Sequence, residues 1–223
     1  MTEADLIKKY ALAIFKPEEK ATGITVFLPG TMIDLDKFSS IYEALVKQNQ
    51  IVIGFRKLNP FTKNHQKMAE NAAAVVQEFR AIEGNESLPE KYNLVGHSLG
   101  GKVALMVAAK YGIENVNKVI AIDPVDDKPR ELTAPRLSPE TKLSDSKAAE
   151  IHLFQSENGG NGLVPLAPSD RNATVVMEVY PDQITSLFIN EGAGHMAYLD
   201  SEEGAESEAA RASVIAKIIE VIQ

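Results

Sequence analysis

The chain has 223 residues, a formal net charge of −8 and no cysteine. A chain of this length buries one sizeable core, and no stretch has the composition of a linker, so a single domain over residues 1–223 is expected. The negative charge disfavours nucleic acid and anionic membrane surfaces as partners, and the lack of cysteine excludes disulfides, a thiolate nucleophile and cysteine metal sites. Because no apolar run is long enough to cross a bilayer, we expect a soluble protein without stable membrane insertion.

Apolar runs rich in branched residues alternate with helical patterns along the chain. The strand-like runs fall at residues 24–28, 51–55, 94–95, 119–122, 151–154 and 185–189. The helical patterns fall at residues 38–47, 68–82, 101–111 and 205–222. Parallel strands need helical crossovers, which then cover both faces of the sheet, so this alternation predicts an α/β fold with a mainly parallel, doubly wound sheet. Functional residues are expected beyond the carboxyl ends of the strands.

Two segments interrupt this alternation. Residues 128–148 hold three prolines among charged residues, and residues 157–168 are rich in glycine, asparagine and proline. Both follow predicted strands, so we expect them to overhang the strand ends. They are interpreted as cap or rim segments, with plain surface loops as the alternative.

The run Gly-His-Ser-Leu-Gly-Gly at residues 96–101 lies where a predicted strand passes into a predicted helix. A strand that turns directly into a helix leaves no room for side chains two positions before and after the turn residue. Gly96 and Gly100 meet that requirement on either side of Ser98. In this context the pattern is typical of the nucleophile elbow of a serine hydrolase, and Ser98 is the predicted nucleophile.

A serine hydroxyl needs a base near neutral pH, and histidine has a suitable pKa. Of the four histidines, His97 lies inside the elbow, where the turn aims its side chain away from the site of attack. His152 lies within a predicted strand, and His65 lies in a polar stretch where simple exposure explains it equally well. His195 follows the last predicted strand in a glycine-containing loop, which is where such hydrolases place their histidine. His195 is therefore the predicted base.

The acid that orients the base has more than one candidate. Asp123 follows the strand at residues 119–122, and Glu157 follows the next strand along the chain. Either carboxylate could hold the imidazole in the tautomer that accepts the serine proton. Sequence spacing alone barely separates these carboxylates. We favour Asp123 as the acid, with Glu157 as the second choice and Asp126 as the third.

Acyl transfer also requires N–H donors for the negative charge that develops on the carbonyl oxygen. The amide of Leu99, directly after the nucleophile at the helix start, is one predicted donor. The second is expected from the loop after the strand at residues 24–28, and Thr31 is its predicted source. This pair would form the oxyanion hole.

Apolar residues beside these positions are candidates for substrate binding. Met32, Ile33 and Phe38 continue the predicted oxyanion loop, and Met196 follows the predicted base. We predict that they line an acyl or alcohol pocket. For Ile33 and Phe38 the alternative is a core position at the start of the next helix.

Three motifs together resemble the chlorophyllases, α/β-hydrolases that cleave the phytyl ester of chlorophyll. Residues 96–101 are similar to that family's Gly-His-Ser-x-Gly-Gly, residues 123–125 to its Asp-Pro-Val, and residues 194–200 to its histidine segment. The resemblance spans about residues 24–200. It implies an α/β-hydrolase fold, here with a small or absent cap, and Asp123 rather than Glu157 as the acid.

The sequence departs from that family at several positions. Leu99 stands where the family has arginine, Pro29 precedes Gly30 where the family has histidine, and Asp126 stands where its acid motif closes with glycine. Residues 128–148 are also polar, whereas a phytyl chain requires an apolar channel. These departures bear on the substrate and leave the three triad residues unchanged.

These observations predict a serine hydrolase that cleaves a small apolar ester through an acyl-enzyme, without cofactor or metal. Chlorophyll is the first substrate class, and other apolar esters, as for a general carboxylesterase or lipase-like enzyme, are the alternative. A hydrolase-fold protein that binds a pigment or partner without turnover is the third hypothesis. The sequence does not specify the oligomeric state. It does not specify the compartment either, and it is compatible with both the cytoplasm and the plastid.

Overall fold

The computed structural model describes residues 1–58, 65–126, 149–158 and 173–223. The predicted cap or rim segments lie outside these residues, apart from Glu157 and Asn158, which end a strand. The elements in chain order are α1 (Glu3–Tyr10), β1 (Leu12–Phe15), β2 (Gly23–Leu28), a 3-10 helix (Leu35–Phe38), α2 (Ser39–Lys47), β3 (Gln50–Phe55), α3 (His65–Arg80), β4 (Tyr92–His97), α4 (Leu99–Asn115), β5 (Val116–Ile122), β6 (Glu150–Asn158), α5 (Ala173–Val179), β7 (Ser186–Gly194) and α6 (Ala205–Ile222).

The described strands form one seven-stranded sheet in the order β1-β3-β2-β4-β5-β6-β7. Every neighbouring pair is parallel except β1 and β3. The strand order reverses between β2 and β4, which lie side by side in the sheet. The predicted doubly wound, mainly parallel sheet is therefore confirmed, and its switch point lies at the ends of these two strands.

Hydrophobic layers cover both faces of the sheet. Side chains alternate along β2, so Val26 and Leu28 pack in the layer formed with α1, α3 and α4, whereas Phe27 packs in the layer formed with α2 and α6. The central strands are buried on both sides, as helical crossovers require of parallel strands. This double burial explains why their sequences read as short continuous apolar runs.

The start of α4 lies very close to the end of β2. A Cβ atom on Gly100 would lie 2.0 Å from the carbonyl oxygen of Leu28, and one on Gly96 would lie 2.3 Å from the carbonyl oxygen of Gly100. Backbone atoms cannot yield to such contacts, so both positions require glycine. The turn at Ser98 can therefore pack against β2 and α4 only with glycine at both of these positions.

The sequence pattern missed four short elements and underestimated the length of several others. Helix α1, strand β1, the 3-10 helix and helix α5 were not predicted; α1 begins with a capping box in which Thr2 and Asp5 exchange hydrogen bonds. Strands β6 and β7 both extend beyond their predicted ends. Short elements at the margins of a fold carry too few apolar residues for a clear periodic signal.

The predicted glycine-containing loop before His195 is wrong, because residues 190–194 belong to β7. The pairing of β6 with β7 shifts between Ser156 and Asn158, which leaves extra residues on β7. Gly192 adopts a left-handed φ of 72° there, and its N–H donates to the Glu157 carboxylate at 2.8 Å. Glycine thus permits a bulge within the strand rather than a loop after it.

The close approach of α4 to β2 makes a direct prediction. Gly100→Ala forces a Cβ against backbone and is expected to lower the free energy of unfolding by at least about 3 kcal/mol or to prevent folding. The control is Gly194→Ala, since among the described residues no atom other than those of its two chain neighbours lies within 4 Å of a Cβ at that position. It is expected to change the stability by less than about 1 kcal/mol. Urea unfolding measures both, and a G100A protein as stable as wild type would contradict the observed packing.

Candidate active site

Ser98 lies at the sharp turn between β4 and α4. Its backbone φ of 55° is in the left-handed region, which a non-glycine residue seldom adopts. Its N–H donates to the carbonyl of Ile122 at 3.0 Å, and its carbonyl accepts from the N–H groups of Lys102 at 3.1 Å and Val125 at 3.2 Å. Bonds to the neighbouring strand end and to the first turn of α4 thus hold the strained conformation.

His195 bridges the predicted nucleophile and the favoured acid. Its Nε2 lies 3.0 Å from Ser98 Oγ, and its Nδ1 is hydrogen-bonded to Asp123 Oδ2. All three side chains are at most 5% exposed. With the Nδ1 proton donated to the carboxylate, the Nε2 lone pair faces the hydroxyl and can accept its proton.

Asp123 is itself held by several donors. Its backbone φ is 43°, and its N–H donates to the carbonyl of Phe154 at 2.6 Å. Its carboxylate accepts from Ser156 Oγ at 2.7 Å and from the N–H of Ser156 at 3.2 Å. Burial raises the pKa of Asp123, but the hydrogen bond and charge of His195 and the bond from Ser156 outweigh it, so the pKa lies below its usual value. The carboxylate is therefore ionised at neutral pH.

The other two candidate acids are used elsewhere. Glu157 accepts from Gly192 in the β7 bulge, and Asp126 forms a buried ion pair with Lys102 at 2.9 Å. Of the three candidates, the structure joins only Asp123 to the imidazole of His195.

Sequence reasoning missed Ser156, although a signal was present. Successive side chains of a strand point to opposite faces, so Ser156 shares a face with Phe154, which packs in the layer with α2 and α6, and Glu157 does not. Ser156, as a polar residue on that face near the end of β6, was therefore a better candidate than Glu157 for contact with Asp123.

The loop after β2 passes directly over the elbow. A Cβ on Gly30 would lie only 3.3 Å from Ser98 Cβ. The next residue, Thr31, pairs with Leu58 through the N–H of Met32, which donates to the Leu58 carbonyl at 3.3 Å. The predicted oxyanion donors Thr31 and Leu99 thus belong to the two segments that flank Ser98, and their role remains a prediction.

The predicted substrate-binding residues differ in exposure. Met32 is 54% exposed and has a left-handed φ of 57°, while Ile33 and Met196 are partly buried. Phe38 is fully buried, with its ring 5.2 Å from that of Phe27. The 3-10 helix turns Phe38 into the core, so it offers no surface to a substrate, and the core alternative holds for this residue.

The remaining histidines are all buried. His65, for which simple exposure was one explanation, is 5% exposed at the first residue of α3. His152 accepts or donates one hydrogen bond with Ser186 Oγ at 2.9 Å and packs within the sheet, as expected. His97 lies behind His195 and contacts it, which the sequence did not suggest.

The segment after His195 is tied to both helices of its layer. Asp200 accepts from Ser39 Oγ at 2.7 Å and from the N–H of Ser40 at 3.0 Å, at the start of α2. Arg211 of α6 donates to the carbonyl of Leu199 at 2.6 Å. These bonds fix the turn that carries His195 after the end of β7.

Within the described ranges, no three histidine or carboxylate side chains come together as a metal-binding group. None of the helices in those ranges has the length and apolar character needed to cross a membrane.

Comparisons with known proteins agree with this architecture. The family model described as alpha/beta hydrolase fold matches residues 60–155. The solved structure of esterase PE8 superposes with a TM-score of 0.60 at 16% identity, covering 93% of this chain and 97% of that chain. A protein of unknown function from Agrobacterium tumefaciens, provisionally described as an α/β hydrolase, gives 0.62 at 12% identity, with 95% and 88% covered.

An α/β serine hydrolase homologue from Coxiella burnetii gives a TM-score of 0.64 at 13% identity, covering 93% of this chain and 90% of that chain. A search of curated proteins finds no match. At these identities the structural likeness concerns the fold. The chain has the α/β-hydrolase fold.

The contact between Ser156 and Asp123 predicts a pH-dependent loss of stability. A hydrogen bond to a charged group contributes about 1.5–3 kcal/mol, so Ser156→Ala should lower the free energy of unfolding by that amount at pH 7. The pKa of Asp123 in the folded protein lies below 3.8, the usual value for an aspartate. The destabilisation caused by Ser156→Ala is therefore at its full size above pH 3.8 and becomes smaller as the pH falls through the folded-state pKa.

Urea unfolding between pH 3 and pH 7 measures this effect. Ser186→Ala is the control, because it removes a hydroxyl bonded to His152 rather than to a carboxylate. It is expected to cost about 1 kcal/mol. A difference between S156A and wild type that does not change with pH would show that the hydroxyl does not stabilise the ionised carboxylate.

Proposed function

We propose that this chain hydrolyses carboxylic esters through a covalent acyl-enzyme formed on Ser98. The observation that supports the proposal is the continuous path from Ser98 Oγ through the imidazole of His195 to the buried carboxylate of Asp123. Three residues far apart in the sequence meet in the order that activation of a serine hydroxyl requires. The α/β-hydrolase fold raises the expectation of such chemistry but does not supply it.

In the proposed reaction, Ser98 Oγ attacks the ester carbonyl while His195 Nε2 takes the hydroxyl proton. Asp123 stabilises the imidazolium that forms, and the amides of Leu99 and Thr31 bind the oxyanion. Collapse of the tetrahedral intermediate breaks the bond to the alcohol oxygen, which receives the proton from His195. Water, deprotonated by the same imidazole, then attacks the acyl carbonyl. The bond between the acyl carbon and Ser98 Oγ breaks, the imidazolium returns its proton to Ser98 Oγ, and the acid is released.

The proposed substrate class is an apolar ester, with the phytyl ester of chlorophyll as the specific candidate. The likeness of residues 96–101, 123–125 and 194–200 to chlorophyllase motifs supports that candidate. An exposed Met32, two residues after the glycine that lies over Ser98, supports an apolar group at the mouth of the site. Leu99 in place of arginine is the departure nearest the nucleophile.

Substitutions of the triad test the chemistry. Ser98→Ala and His195→Ala should each lower kcat about 10⁴- to 10⁶-fold, because nucleophile and base act as a unit. Asp123→Asn should lower kcat about 10⁴-fold, since the amide stabilises the wrong tautomer. Glu157→Gln makes the same carboxyl-to-amide change where an oxygen still accepts from Gly192, and should stay within about threefold of wild type. An active D123N beside an inactive E157Q would reverse the assignment of the acid.

The substrate is tested with a panel of esters, including chlorophyll in detergent and nitrophenyl esters of short and long acids. Release of chlorophyllide and phytol by wild type, and not by S98A, would support the chlorophyll candidate. Hydrolysis confined to nitrophenyl esters would overturn that candidate and leave a general carboxylesterase. Absence of Ser98-dependent hydrolysis across the panel would contradict the proposed function and favour a hydrolase-fold protein that binds without turnover.

A further inference from the structure

His97, the residue directly before Ser98, contacts the backbone of the predicted base. It is fully buried, and its Nε2 lies 2.9 Å from the carbonyl oxygen of His195. A carbonyl oxygen can only accept, so Nε2 carries the proton and donates. In the neutral ring the lone pair is then on Nδ1. The contact therefore specifies one tautomer of His97.

Other groups confine the ring of His97. Its centroid lies 4.7 Å from that of His195, with an interplanar angle of 33°, and 5.4 Å from that of Phe38. The ring of Tyr198 lies edge-on at 5.8 Å. A Cβ on Gly30 would lie 3.0 Å from Nδ1, and this nitrogen has no hydrogen-bond partner within the described part of the chain. The ring thus has one strong polar contact, and that contact goes to His195.

The surroundings also keep His97 uncharged. Burial, and then the nearby charge of His195, lower the pKa of His97 to about 3, while the hydrogen bond to the His195 carbonyl and the charge of Asp123 act in the opposite direction. A second positive charge beside the imidazolium of His195 would oppose its formation during catalysis. His97 thus stays neutral, and in the proposed reaction the imidazole of His195 takes up the proton of Ser98.

We propose that His97 is a positioning residue that fixes His195 through its carbonyl oxygen and ring face. The hydrogen bond holds the backbone where β7 ends, and the ring contact sets the plane that aims Nε2 at Ser98 and Nδ1 at Asp123. Because His97 and Ser98 are consecutive, the end of β4 positions both partners of the proton transfer. The inference rests on the proposed function, since positioning matters only if His195 acts as a base.

Simple packing would not require these features. A phenylalanine ring fills a similar volume, but it leaves the buried carbonyl of His195 without this donor. A glutamine retains an N–H donor on a side chain of comparable reach. Comparison of the two substitutions therefore separates the hydrogen bond from the volume.

The first experiment uses wild type and requires no enzymatic activity. Nitrogen-15 NMR of the histidine side chains reports which ring nitrogen carries the proton. We expect His97 to remain neutral with its proton on Nε2 from pH 5 to pH 8. Titration of His97 within this range, or a proton on Nδ1, would overturn the proposal.

The second experiment compares His97→Phe, His97→Gln and the control His152→Gln, which alters a buried histidine on β6 that contacts neither Ser98 nor His195. Misplacement of a reacting group by about 1 Å can lower a rate about 100-fold, so H97F should lower kcat about 10- to 100-fold with KM changed less than threefold. H97Q should recover kcat to within about fivefold of wild type, and H152Q should match wild type.

A folded H97F with wild-type kcat would overturn the proposal, as would an H97Q no more active than a folded H97F. If H97F does not fold, the far-downfield signal of the Nδ1 proton shared by His195 and Asp123 decides: it should persist in H97Q, and its loss there would overturn the proposal. The two NMR readouts are independent of turnover. If wild type hydrolyses no ester, the proposed function fails, whereas the NMR results still test whether His97 fixes His195.

Discussion

The buried carboxylate of Asp123 is the constraint on which the arrangement of this site depends. A charge removed from water is tolerated only when hydrogen bonds and an opposite charge replace hydration. Here the donors are the imidazole of His195 and the hydroxyl and amide of Ser156. These donors come from different strands, so satisfying one carboxylate holds several strand ends together.

The order of strands in the sheet explains how this convergence arises. β4, β5, β6 and β7 are consecutive neighbours in the sheet. Ser98, Asp123 and His195 directly follow β4, β5 and β7, and Ser156 lies in β6 two residues before its end. The other neighbour of β4 is β2, whose loop brings Gly30 over the nucleophile. Because all five strands are parallel, their carboxyl ends share one edge of the sheet. The strand order and the parallel orientation of the strands therefore determine where the site lies.

The sequence was informative where residue type and strand ends coincide. The sequence predicted Ser98 as the nucleophile because the sharp turn requires glycine on both sides of it. It also predicted the chain order of Ser98, Asp123 and His195, because the alternation of strands and helices restricts where such residues can meet. The choice between Asp123 and Glu157 was not legible from spacing, since it depends on which face of β6 each neighbouring residue occupies. The bulge that extends β7 to Gly194 depends on pairing with β6, which no local pattern specifies.

Contacts that depend on the third dimension were the hardest to foresee. His97 was set aside because the elbow aims it away from the point of attack, yet it lies against the back of His195. Phe38 was a candidate for the pocket with a core position as the alternative, and the short helix before α2 turns it into the core. For His97 the neighbour that decides the role comes from a distant part of the chain.

The central claim is that His195 and Asp123 make Ser98 a nucleophile, and reaction with a fluorophosphonate followed by peptide mass spectrometry tests it most directly. We expect stoichiometric modification of wild type at Ser98, none at this position in S98A, and labelling slowed by several orders of magnitude in folded H195A. Modification of another residue, or equal labelling rates in wild type and H195A, would contradict the account.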